Sequence, residues 1–416
     1  MMRLKKFRNM SEYSRLKIML GGVPLGCDNI GDEAILASAV GIFRRLMPEC
    51  ELTVCTAKQR ETASKFNCNT LPLYGFDRSP LSEFRRVVAN YDLFIWFGAT
   101  GLSDYPETAC ALLENSQKAG VATVVWNVGM NNVFNPMLYS LAGKKLKLCK
   151  LLESVTWVDW AAHFEKFIHK RVRKRLADTL GKSRLIVLRD EASLLELRKC
   201  ASFPQAMVGA DSAILQKSVE FESLRWEDHC AQMFNSATKR VALCLSSQSP
   251  VGELDDFAAW LDNLNLSENV LTIMLPMNPI TDYEFMEKLR SKMKYSQKTI
   301  MPRFIEPEEI QCVVAKCNLV ISSRLHLMIL ALNHLIPCIG IARGSKINSF
   351  LDQFGLPVAG STGTVDFNTL DYYAKKYLGA NDFSLQGANV RKKMVKNLSE
   401  AESRLKSVLY EINSRI

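Results

Sequence analysis

Residues 318–341, NLVISSRLHLMILALNHLIPCIGI, limit the possible folds more than any other stretch of the chain. Residues 318–322 are a short apolar run closing in serines, the pattern of a strand buried on both faces of a parallel sheet. Ser322 or Ser323 is placed to cap a helix, its hydroxyl accepting from backbone amides that lack a partner within it. Leu325, Ile329, Leu332 and Ile336 recur at helical spacing and predict the buried stripe of that helix. Pro337 stops it, and residues 338–341 read as the next buried strand. The apolar length from 325 to 342 resembles a membrane span, but His326, Asn333, His334 and Pro337 interrupt it, and such groups are costly in lipid.

This reading sets Arg324 and His326 in the first turn of a helix, just past the carboxyl end of a strand. In open α/β sheets that crevice is where ligands bind. A helix amino terminus with an arginine beside it also suits an anion. The plainer alternatives are a solvated arginine and a histidine satisfied by its own surroundings.

The same strand–loop–helix alternation runs through the chain. Strands are predicted at 16–20, 52–55, 71–74, 93–97 and 121–126, then at 185–188, 240–246, 270–275 and 300–305. Such alternation argues a doubly wound parallel sheet, and 416 residues are too many for one ordinary core. The first strand leads into Gly21-Gly22-Val23-Pro24-Leu25-Gly26, after which Asp28 or Asn29 would cap a helix carrying Asp32 and Glu33 in its first turn. No GxGxxG fingerprint and no Gly-Lys-Ser/Thr follows, so neither a dinucleotide nor a Walker-type ATP site is indicated. Residues 138–180 are mainly helical and basic. Arg189-Asp190 stands where a strand turns into a helix, as a local salt bridge or a ligand contact. From 386 the tail reads as one long charged helix.

Two motifs together are specific. Ser323-Arg324-Leu325-His326 with Ile336-Pro337 and Ile339-Gly340-Ile341, and Asn29-Ile30-Gly31-Asp32-Glu33-Ala34-Ile35-Leu36, resemble the signature of the polysaccharide pyruvyl transferase family. The likeness runs from about residue 17 to about residue 357. It implies an α/β fold of two Rossmann-like doubly wound domains facing a central cleft, similar to the glycosyltransferase B-type fold. Residues 1–207 would form the acceptor-side domain, 208–385 the donor-side domain, and 386–416 a helix packing back on the body. The segment from Val208 to Leu215, VGADSAIL, has the form of the family's crossover between them. The implied reaction moves the enolpyruvyl group of phosphoenolpyruvate onto sugar hydroxyls as a pyruvate ketal. Ala99-Thr100 departs from the glycine-richer loop usual in the family, which puts acceptor contacts there in doubt.

A small donor with a carboxylate and a phosphate needs at least two fixed cations, and arginine matches both groups with a planar fork. Protonating the methylene carbon and deprotonating the attacking hydroxyl suit a group that titrates near neutrality. By resemblance, His326 is the expected acid/base, with Arg324, Ser323, Leu325 and Arg189 at the donor. Asp28, Asn29 and Asp32 are expected at the acceptor sugar. No cofactor or metal is implied, phosphoenolpyruvate being a co-substrate. The alternatives are a nucleotide-sugar-dependent glycosyltransferase of the same architecture and a non-catalytic glycan-binding relative.

The twelve cysteines are scattered without a CxxC pair, which argues small buried hydrophobes rather than structural zinc. The first ten residues are basic but lack the apolar core of a signal peptide, so a cytoplasmic setting is expected. The net charge of +10 favours anionic partners and is concentrated at 3–6, 144–150 and 166–174. A solvated helix face explains each cluster, or else contact with an anionic membrane surface or a lipid-diphosphate carrier. No nucleic-acid motif accompanies them, and none of that class is expected as partner.

Overall fold

The apolar runs of the sequence become strands with no solvent face. Leu93–Phe97 is buried at every position, as are Val270–Met274 and Cys338–Ala342. Removing one such side chain from water stabilises the fold by about 1.5–3 kcal/mol, so these strands anchor their sheets.

A computed structural model describes residues 15–248, 250–379 and 383–415. The basic residues 3–6 and the rest of the leading segment lie outside them. The first sheet holds β1 (Lys17–Gly21), β2 (Glu51–Cys55), β3 (Asn69–Leu71), β4 (Leu93–Phe97), β5 (Ala122–Val128), β6 (Leu185–Leu188) and β7 (Ala206–Val208), in the order β3-β2-β1-β4-β5-β6-β7. The second holds β8 (Lys239–Cys244), β9 (Val270–Met274), β10 (Thr299–Ile300), β11 (Leu319–Ser322), β12 (Cys338–Ala342) and β13 (Val358–Ser361), in the order β10-β9-β8-β11-β12-β13. Both sheets are parallel throughout, and helices cover them: two Rossmann-like α/β units. The strand order reverses between β1 and β4 in one sheet and between β8 and β11 in the other.

Several boundaries differ from the sequence reading for local reasons. The third strand occupies Asn69–Leu71 rather than 71–74, because Pro72 has no amide to give the ladder. The strand expected over 300–305 ends at Ile300, two residues before Pro302. The short edge strands β7 and β13 carry too little apolar pattern to be read in advance. Neither serine caps the helix after β11. It spans Leu325–Leu332 with Arg324 at the cap position, and no side chain caps it. Instead Ser322 Oγ accepts from the Arg324 amide at 2.9 Å, and Ser323 Oγ accepts from the Ser246 amide at 2.8 Å, tying this turn to the loop after β8.

The two units share one continuous apolar core. The amide of Ile30 donates to the carbonyl of Met277 at 3.0 Å. Lys65 pairs with Glu306 across the same divide. The last helix, Ser384–Asn413, returns to the first sheet, where Glu402 meets Arg45 at 2.5 Å and Ala401 lies against Gly209. All twelve cysteines are free, and burial pushes the Cys55 thiol up to about 12, as expected of a buried apolar packing residue.

Candidate active site

The polar residues between the two sheets have a common origin: each follows the carboxyl end of a strand. Asp32 follows β1, Asp104 β4, Asn131 β5, Arg189 β6 and Asp211 β7. From the other side, Gln248 follows β8, Asp282 β9, Arg324 and His326 β11, and Arg343 and Lys346 β12. The switch points of both sheets thus contribute to one cluster.

His326 lies over the start of the helix Ile30–Leu46. A Cβ at Gly31 would come within 2.1 Å of its Nδ1, so only glycine permits this approach. On its other side Nε2 stands 3.7 Å from Asp211 Oδ2, close enough for charge attraction but too long for a hydrogen bond. Neither atom has a hydrogen-bond partner among the described residues. Burial alone would raise the Asp211 carboxyl; His326, Arg189 and the amide of Ala213 outweigh it and hold it below the usual carboxylate range.

Arg189 continues the chain of charges. Its Nη1 is 3.9 Å from Asp211 Oδ2, and its Nε donates to Asp190 Oδ2 at 3.1 Å. The guanidinium packs flat on the backbone after β5, where a Cβ at Gly129 would meet its Cζ at 2.6 Å. Arg324 is held differently. Its Nε and Nη2 grip the buried Asp282, and Nη1 reaches Gln248 Oε1 at 3.3 Å. Arg343 donates to the same Gln248 oxygen at 3.0 Å. Leu325 and Ser323 are buried, the first facing apolar neighbours and the second bonded to Ser246.

The remaining expected residues are partly engaged. Asp28, at φ 58°, pairs with Lys58 at 2.6 Å. Asn29 caps the helix Ile30–Leu46 through Gly31 and donates to Asp32 Oδ2 at 2.7 Å. Asp32 is buried, and burial raises its carboxyl above the ordinary range against the pull of His326, Lys346, Asn29 and Arg324. Asp28 lines a cavity of about 300 Å³ with Lys58, Lys65, Pro279 and Glu306. That cavity lies beside the charged cluster rather than within it. Its walls carry both signs of charge.

A smaller cavity of about 170 Å³ is chemically better defined. Residues 130–132, Arg189, Asp190 and Lys346 line it, together with the first turns of the helices Glu191–Arg198 and Ser345–Gln353. Arg189 and Lys346 face Asp190 and Glu196 across it. Asp190 already caps the helix Glu191–Arg198 through the Ser193 amide, so the two cations and the start of the helix Ser345–Gln353 are what it can offer a small anion. Burial pushes Lys346 down to about 8; Arg343 and Arg189 add to that, while Asp104 and Asp32 oppose it. Asp104 is held by Thr100 and by Asn131 Nδ2, the latter at 3.0 Å. Asp211, Asp282, Arg343, Lys346 and Asp104 were not singled out in the sequence. A place just after the apolar run 338–341 is a signal for Arg343 and Lys346, whereas Asp211 follows β7, which the apolar pattern does not reveal.

Solved structures of similar shape fit this architecture. A candidate UDP-N-acetylglucosamine 2-epimerase from Listeria monocytogenes has TM-score 0.65 at 11% identity, over 96% of this chain and 98% of that one. A glycosyltransferase from Rickettsia africae has TM-score 0.57 at 12% identity, over 96% and 99%. The UDP-GlcNAc 2-epimerase of Methanocaldococcus jannaschii, solved with UDP-GlcNAc and UDP, has TM-score 0.54 at 12% identity, over 93% and 100%. At such identity the likeness concerns the fold, that of glycosyltransferase B-type enzymes and epimerases. Comparison with curated protein sequences finds no match. The profile of the polysaccharide pyruvyl transferase family matches residues 29–155 and 160–345, which takes in every residue of the His326 cluster except Lys346, and the chain belongs to that family.

Proposed function

We propose that this transferase moves the carbon skeleton of phosphoenolpyruvate onto two hydroxyls of a sugar, forming a pyruvate ketal on a glycan of cell-surface polysaccharide biosynthesis. One observation carries the reading. The 170 Å³ cavity brings Arg189, Lys346 and the start of the helix Ser345–Gln353 together beside Asp190 and Glu196, and Arg189 shares Asp211 with His326.

In this scheme Arg189 and Lys346 hold the carboxylate and phosphate; Arg324 lies outside the lining of that cavity and would reach the donor only by turning Nη1 away from Gln248. The methylene carbon takes a proton, leaving an oxocarbenium centre at C2 that one sugar hydroxyl attacks. Loss of phosphate then regenerates that centre, and the second hydroxyl adds. Of the two hydroxyl protons, one is balanced by the new methyl group and the other by the departing phosphate. His326 exchanges these protons at Nδ1, while the Asp211 charge favours the proton on Nε2 and orients the ring. Asp28, Asn29 and Asp32 border the acceptor side. The reaction needs no cofactor beyond its co-substrate, and the arginines and lysine carry the charge. We assign it to the cytoplasm, with a free or lipid-linked glycan as acceptor.

The test measures phosphate release from phosphoenolpyruvate with a panel of free, nucleotide-linked and lipid-linked sugars, following the new methyl group by proton NMR. Melting temperatures with phosphoenolpyruvate and with nucleotide sugars run beside it, since a ligand of the native state stabilises by mass action. Stabilisation by phosphoenolpyruvate and a ketal product are expected. Stabilisation by a uridine or guanosine diphosphate sugar alone would replace this reading with a glycosyltransferase.

A further inference from the structure

The first unit carries a projection whose surface does not suit water. After β5 the chain runs through residues 129–135 and a short helix, Pro136–Tyr139, into the helices Gly143–Thr156 and Trp160–Leu180. The second of these is 21 residues, about 30 Å at 1.5 Å per residue. Only Val172, Leu176, Thr179 and Leu180 of it are buried, all in the half that leads back to the start of β6. Its first half therefore extends past the sheet on the side where the strands end, which is the side of the cleft. The helix Gly143–Thr156 buries Cys149 alone.

The exposed face of this projection is apolar. Leu148, Leu151 and Val155 are 58%, 65% and 74% exposed. With Leu152 they stand at i, i+3, i+4 and i+7, the spacing of a helix stripe that ordinarily faces a core. At the turn between the helices Trp157 is 96% exposed and adopts φ 60°, a conformation a bulky side chain rarely takes. Phe167, 65% exposed, follows on the second helix, and Met137 is 92% exposed ahead of the first.

Cations surround this stripe. Lys144 lies one helical turn before Leu148 on the same line, Lys147 one turn before Leu151, and Arg171 one turn after Phe167. Lys145, Lys150 and Lys170 are also exposed. Two copies of this surface docked together would set lysine against lysine. An anionic lipid surface instead receives the apolar stripe, seats an indole at the boundary between headgroups and acyl chains, and neutralises the lysines.

We propose that the pair of helices around Trp157 docks the protein on an anionic bilayer, with the mouth of the cleft turned toward the lipid. Among the described residues no helix is long and apolar enough to cross a membrane, so the contact is peripheral. The proposal holds for any chemistry in the cleft and is read without turnover.

The experiment is co-sedimentation of the full chain with vesicles of phosphatidylcholine alone or with added phosphatidylglycerol. One variant is Val155→Ser with Trp157→Ser, and another is Lys144→Glu with Lys147→Glu. Wild type is expected to bind the anionic vesicles, release in high salt and ignore the neutral ones. Each variant should lose at least tenfold in binding with an unchanged melting temperature, because the altered side chains are exposed. The proposal is overturned by absence of binding in wild type or by variants that bind as well as wild type. A dimer in sedimentation velocity that both variants dissolve would overturn it too, by making the face an interface between copies.

Discussion

Arg324 and Asp282 form a bidentate pair: Nε and Nη2 of the arginine donate to Oδ2 and Oδ1 of a fully buried carboxylate at 2.9 and 2.8 Å. Asp282 also accepts from the amides of Ser247 and Asn278, at 2.9 and 3.0 Å. The pair therefore fixes the loops after β8, β9 and β11 against one another. Only Nη1 of Arg324 remains directed elsewhere, toward Gln248. An arginine expected to clamp the donor is thus also a structural tie.

Arg324→Ala should accordingly lower stability by about 3–5 kcal/mol, the cost of leaving a buried carboxylate unpaired. Urea denaturation checks this. Combining Arg324→Met with Asp282→Leu should recover part of the loss, because no lone charge is then buried. A single variant as stable as wild type would show that the carboxylate finds another partner. Any loss of donor binding in Arg324→Ala has to be judged against this change in the fold.

Gly31→Ala tests the approach of the two units directly. The added Cβ would overlap His326 Nδ1, and relief requires the ring or the helix Ile30–Leu46 to move. Overpacking of this kind costs about 1–3 kcal/mol. Turnover should fall by roughly a hundredfold, the effect of an ångström-scale misplacement of a catalytic group. Placed in a His326→Ala background, Gly31→Ala should cause little further loss of activity. Steady-state rates of the four proteins decide the matter, and independent losses would separate Gly31 from the histidine.

Much of this arrangement was legible in the chain. Leu93–Phe97 and Cys338–Ala342 are continuous apolar runs, and a run with no polar alternation has to be covered on both faces. Arg324 and His326 follow such a run and so belong to the cleft. The partners were not legible, because pairing across the cleft is set by topology rather than by spacing. Asp211 lies 115 residues from His326 by their numbers, yet they face each other because β7 and β11 both end at the cleft. Asp282 stands in the first turn of the helix Thr281–Lys292, where an acid stabilises the helix dipole wherever it occurs. Only the end of β9 brings it under Arg324. Lys346 had the right position after β12 but no motif to draw notice.

Asp211→Asn keeps the shape and removes the charge that His326 and Arg189 share. If the carboxylate orients the imidazolium, turnover should drop by about 10²–10⁴, the range of acid–base assistance. Stability gives an independent check with a definite sign. The native carboxyl lies below its unfolded value, so its contribution is complete above about pH 4 and is lost as pH falls further. The gap in melting temperature between wild type and variant should therefore close on acidification. A constant gap from pH 7 to pH 3 would contradict the assignment.

Lys346 offers a test in which affinity and stability move in opposite directions. Burial pushes its ammonium down to about 8, whereas in the unfolded chain it titrates near 10.4. Between those values the unfolded state holds the proton and the folded state does not, so the contribution of this group to stability rises with pH. Affinity for an anion that needs the charged lysine falls across the same interval. Phosphoenolpyruvate itself keeps its charge above pH 7.5, since phosphate monoesters finish ionising near pH 6. Titrations from pH 7.5 to 9.5 should thus show weakening donor affinity in wild type. In Lys346→Arg that decline should move to higher pH, because guanidinium does not deprotonate there. In Lys346→Met affinity should be low throughout and lack the alkaline decline. A wild-type affinity that stays level through pH 8 to 9.5 would remove Lys346 from the donor cavity and leave Arg189 as its cation.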